Sequence, residues 1–82
     1  MPAMLEHANL TVSDPSATAT WMQNLFGWHV RWQGPAISGG RTVHVGTDSH
    51  YLALYTPGSP VPTKEDNYLT TGGLNHIAVV VD

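Results

Sequence analysis

The chain predicts an α+β fold: one β-α-β-β-β module with an extra C-terminal strand, its mixed sheet covered on one side by a single helix. Three observations predict it. Short stretches with strand patterning recur along the chain, one capped amphipathic stretch interrupts them after the first, and the last stretch repeats the first.

Residues 4–12, MLEHANLTV, alternate Ala8, Leu10 and Val12 with His7, Asn9 and Thr11, which gives a strand with one apolar and one polar face. The next segment, SDPSATATWMQNLFGW, supplies Ser13 or Asp14 as a helix cap and Pro15 for the first turn. Gly27 can close it in the left-handed conformation. Ala17, Trp21, Met22, Leu25 and Phe26 recur at helical spacing and are expected as the buried stripe, a packing role rather than a cofactor role. WHVRWQ alternates again as a second strand and is closed by GPAISGG. RTVHVGT is the third strand and HYLALYT the fourth, with Leu52 and Leu54 on one face and Tyr51, Ala53 and Tyr55 on the other. Residues 1–56 therefore form the module. Residues 57–73, rich in proline and glycine and holding Lys64, Glu65 and Asp66 as a solvated charge cluster, read as a linker, and residues 74–82 read as the first strand of an incomplete second module.

Composition narrows the function classes. With 82 residues the chain has room for one small domain with a marginal core, and so a partner chain is expected. A net charge of -3 with only three Lys and Arg, scattered along the chain, leaves no footprint for nucleic acid. No stretch reaches the length of a membrane span, and MPAMLEHANLTV has neither a basic leader nor a signal-like apolar run; a cytoplasmic protein is expected. Without cysteine there are no disulfides, thiolate metal sites or thiol nucleophiles, and five histidines become the conspicuous candidates.

The repeat singles out two of them. LEHANLTVS laid over LNHIAVVVD pairs Leu5 with Leu74, 69 positions apart, and at the same offset His7 with His76, Leu10 with Val79 and Val12 with Val81. If the two strands lie side by side about a pseudo-twofold axis, both histidines face one cavity.

LEHANLTVSD, the helix ending WMQNLFGW, the strand YLALYTP and above all GGLNHIAVVVD resemble the vicinal oxygen chelate superfamily, which includes glyoxalase I, bleomycin-resistance proteins and extradiol dioxygenases. That resemblance implies a glyoxalase/dioxygenase-type βαβββ module with a curled sheet, normally followed by a second module, and a divalent metal held on the inner face. It places metal ligands at His7 and His76, while the fourth-strand ligand position falls on Ala53, which cannot bind metal. Ala53 argues against a four-ligand glyoxalase site and for two histidines with one carboxylate, a set suited to Fe(II), with Zn, Ni or Mn as alternatives. The carboxylate would stand beyond Asp82, in a second module of the same protein, or the fold would be completed in a homodimer, possibly with exchanged strands.

The chemistry so implied is metal-dependent ring-cleaving oxygenation, or isomerisation through an enediolate, of a small aromatic or carbonyl compound chelated through vicinal oxygens. His44, Tyr51 and Tyr55 are the candidate substrate contacts; His50 reads as an exposed or cavity-lining residue and His29 stays unassigned. Two other outcomes stay open. One is a metal-free drug-binding protein of the bleomycin-resistance type, with Trp28 and Trp32 beside the tyrosines, and the other a nonfunctional fragment of a longer enzyme.

Overall fold

Local chemistry sets the helix ends in the computed structural model, which describes residues 1–62 and 67–82. Asp14 caps α1 (Pro15–Phe26) by accepting the Ala17 N–H at 3.1 Å, Pro15 occupies the first turn, and Gly27 at φ 69° ends it by donating its N–H to the Gln23 carbonyl. Four strands surround it in sequence: β1 (His7–Thr11) before the helix, then β2 (His29–Pro35), β3 (Arg41–Gly46) and β4 (Tyr51–Thr56).

The strands form one mixed sheet in the order β1-β4-β3-β2. β2, β3 and β4 run antiparallel as a meander, while β1 pairs parallel to β4. Because β1 and β2 stand at opposite edges, the helix between them must cross the sheet, and it packs mainly on β3 and β4. That single layer of helix covers one face and leaves the other open.

Beneath α1 lies the core. Leu54, Val43 and Val45 are fully buried, joined by Leu52, Ala19 and Met22, with Ala8, Leu10, Val12, Phe26, Trp28 and Val30 packed around them. Each large side chain so buried contributes roughly 1.5–3 kcal/mol of hydrophobic stabilisation. The helical stripe differs from the expected one: Pro15, Ala19 and Met22 are buried and Phe26 is half-buried, whereas Ala17, Trp21 and Leu25 are exposed. A short helix on a sheet buries a face centred on Ala19 and Met22, so Ala17 and Leu25 fall on its solvent side and Trp21 on its flank.

Residues 74–82, expected as a further strand, carry no β ladder in the single chain. A strand must find an edge for its N–H and C=O groups, and one isolated strand cannot bury its apolar face. Leu74, Ile77 and Val79 instead line hollows beside Leu52 and Trp28, with Val80 left fully exposed. Of the expected linker, Asn67–Leu69 form a 3-10 turn tied to the tail by Asn67 Nδ2 donating to the Leu74 carbonyl and Asn75 Nδ2 to the Asn67 carbonyl. Lys64, Glu65 and Asp66 lie outside the described residues. No helix among the described residues is long and apolar enough to cross a membrane.

Candidate functional site on the open sheet face

Strand register decides what stands together on the face away from the helix. One row across the sheet aligns His7, Tyr51, Gly46 and His29; the next aligns Asn9, Ala53, His44 and Trp32. Period-two alternation sends both rows to the side opposite Ala8, Leu52, Val45 and Val30.

A β-bulge brings a third contribution. Val30 pairs with Val45 and Trp32 with His44, so Arg31 is an extra residue with no partner on β3. Uninterrupted alternation would put Arg31 on the open face and carry Trp32 to the side of Val30; the inserted residue brings Trp32 to the open face beside Arg31. The indole then lies along the strand above Gly34, where a Cβ would stand 2.8 Å from its ring. Gly34 is the residue that lets it lie there.

Tyr51, on the central strand of these three, stacks with His7 of β1 and with His44 of β3, each at 4.8 Å between ring centroids and with interplanar angles of 14° and 23°. The Arg31 guanidinium stands 4.2 Å over the same ring, and Trp32 meets His44 edge-on at 5.3 Å. Five side chains thus form one continuous π and cationic surface. Glu6 Oε1 lies 3.0 Å from His7 Nδ1, and Asp48 lies 3.2 Å from His29 Nε2. Partial burial, then the charges of His7 and Arg31, hold the His44 imidazole below its ordinary pKa of 6.5. It is neutral at pH 7 and keeps one N–H donor and one lone pair.

Beside this face opens a hollow of about 750 Å³, with His7, His50, Tyr51 and Trp28 on one side and Leu74, Ile77 and Val79 of the tail on the other. Its size falls within the range of small-molecule sites, about 300–1,000 Å³. His50 is exposed and meets Trp28 edge-on. His76 lines a second, smaller hollow on the helix side with Trp21, Met22 and Phe26.

Of the residues singled out from sequence, the fold therefore gathers His7, His44 and Tyr51 around one ring and leaves His76 on the other side of the sheet. Tyr55 shares the open face but donates its hydroxyl to the Ile37 carbonyl at 2.9 Å, which pins the turn Ile37–Gly39. Ala53 is buried between Asn9 and His44. Thr42, in the next row, has a buried hydroxyl without a hydrogen-bond partner. Sequence reasoning missed Arg31 as a site residue. No signal in the sequence marks it, since the bulge shows only in the strand register.

Fold and site together define the class: a βαβββ module whose helix guards one sheet face and whose other face carries imidazole and aromatic side chains. Comparison with protein-family models sharpens the class to a family. Residues 4–82 match the Glyoxalase/Bleomycin resistance protein/Dioxygenase superfamily, and the chain belongs to it. Neither the comparison with curated proteins nor that with solved structures gives a match.

Proposed function

We propose that the open face around Tyr51, with the adjoining hollow, binds a small planar aromatic or carbonyl compound. The observation that carries this reading is the ring assembly: His7, Tyr51, His44 and Trp32 in continuous contact on the face that the core does not use. Rings held against one another on a solvated sheet face offer a planar ligand a large contact area at small entropic cost. Tryptophan fluorescence titrated with catechol and with phenol tests it. Saturable quenching that Trp32→Ala and Tyr51→Ala both weaken supports the reading; no saturation at millimolar ligand in the folded protein overturns it.

A metal-dependent reaction on a compound with vicinal oxygens is the second reading, favoured by one contact. The Glu6 carboxylate engages Nδ1 of His7, which leaves Nε2 as the free lone pair, the arrangement typical of metal-ligating imidazoles. His7 and His76 would be the protein's two imidazole ligands, with Fe(II) the favoured ion, and the metal would supply Lewis-acid stabilisation of the chelated oxygens. One chain fits part of such a site only: among the described residues no three His, Cys, Asp or Glu groups converge. The remaining donors, and the strand pairing that would bring residues 74–82 alongside β1, would come from a second module or from a second copy in a homodimer. Metal content of the purified protein and of the His7→Ala, His76→Ala double variant tests this; equal, near-zero metal in both ends it. Sedimentation tests the dimer, a monomer of 8.9 kDa counting against it.

A further inference from the structure

We infer that the compound bound on this face is an anion, a planar aromatic carboxylate, whose carboxylate Arg31 holds while its ring lies against Tyr51, His44 and Trp32. This rests on the reading of the open face as a site for a planar compound and adds the charge of the ligand to it.

The charge inventory of the face carries the inference. The chain as a whole is acidic, with a net charge of -3 and only three Lys and Arg, yet one of these cations, Arg31, stands over the tyrosine ring that His7 and His44 flank. Among the described residues, Glu6 is already engaged with His7 and Asp48 with His29. Arg31 has no ion pair and no hydrogen bond among the described residues; its guanidinium lies over the Tyr51 ring. Arg41, by contrast, donates to Gln33 at the far end of the same strand pair. A guanidinium held by stacking keeps its planar fork of N–H donors open to a carboxylate, which that fork matches in bidentate geometry.

Backbone geometry makes the placement specific. Arg31 is the one unpaired residue of β2, and its insertion turns the guanidinium and the Trp32 ring to the same side. A planar acid therefore meets a ring surface and an open cation at adjacent positions. Neutral His44, beside both, has an N–H to donate to a second oxygen.

Titrating benzoate and its neutral isostere benzamide into the protein, followed by amide chemical shifts, tests the inference. The wild-type protein is expected to bind benzoate about tenfold tighter than benzamide, one charge-assisted pair being worth about that factor. Arg31→Gln is expected to bring benzoate down to the benzamide level without changing benzamide, Trp32→Ala to weaken both, and Arg41→Gln to change neither. Far-UV circular dichroism confirms that each variant is folded. Equal binding of both probes by the wild-type protein, or unchanged benzoate binding by Arg31→Gln, overturns the anion assignment and leaves the planar-ligand reading standing. Absence of binding by either probe overturns both.

Discussion

Replacing Gly34 by alanine is expected to move one ring and leave the fold nearly as stable as before. The added Cβ would stand 2.8 Å and 3.0 Å from two indole carbons of Trp32, against a comfortable carbon contact of about 3.5–4.0 Å, so the ring must retreat by about 0.7 Å or more. Because the clash is with a half-exposed side chain and not with backbone, the ring can give way. The loss is part of its edge contact with His44, where an aromatic pair contributes about 0.5–1.5 kcal/mol. Against that, alanine restricts the unfolded chain and returns about 0.4–1 kcal/mol where the native backbone suits it, and Gly34 is not in the left-handed region. The two terms nearly cancel, and the net change in unfolding free energy is expected within about 1 kcal/mol. Urea denaturation reads that sum, while the His44 Cε1–H resonance reads the ring: it should move in Gly34→Ala in the direction that it moves in Trp32→Ala. An unmoved His44 resonance, or a destabilisation as large as that of a core truncation, would refute the account of Gly34 as the bed of the indole.

Other outcomes follow from the core, the cap and the titrating face. Leu54→Ala should cost about 2–5 kcal/mol in urea denaturation, since a fully buried leucine at the sheet centre leaves a cavity that its neighbours fill only in part. Asp14→Ala should cost about 1 kcal/mol by removing the side-chain acceptor for the Ala17 N–H, with Asp14→Asn nearly neutral. His44 binds a proton less readily in the folded chain than in the unfolded one, so its contribution to stability is complete above pH 6.5. It falls as pH drops below that value and levels off once the folded form is protonated too. Urea midpoints measured between pH 8 and 5 should therefore fall less steeply in His44→Gln than in wild type.

The parts of the fold that were legible in the sequence are those that local chemistry decides. Asp14, Pro15 and Gly27 mark the helix ends by caps that need no tertiary partner, and the alternation in YLALYT assigns Leu52 and Leu54 to the core and Tyr51 to the other face. The helical stripe was legible only in period: three exposed apolar residues, Ala17, Trp21 and Leu25, fit the same spacing, and only contact with β3 and β4 selects Ala19 and Met22. The bulge at Arg31 leaves no compositional trace, because one extra residue in a polar strand changes no propensity while it changes the face of Trp32. His7, His44 and Tyr51 could be placed on a common face from alternation alone, but their convergence on one ring depends on the parallel register of β1 with β4. His76 sits where it does because a strand's position is set by the edge that it pairs with, which no stretch of residues encodes by itself.

That parallel register also orders the assembly of the site in time. His7 and its partner Tyr51 are 44 positions apart, whereas the hairpins that join β2, β3 and β4 close over short turns. Loop closure favours the meander first, and β1 docks last onto an edge that already carries Tyr51, His44 and Arg31. Opening β1 alone withdraws His7 and Glu6 together and leaves the remaining rings in place. A ligand that touches His7 should accordingly slow amide hydrogen exchange in β1 more than in β3, so that the edge strand itself reports occupancy.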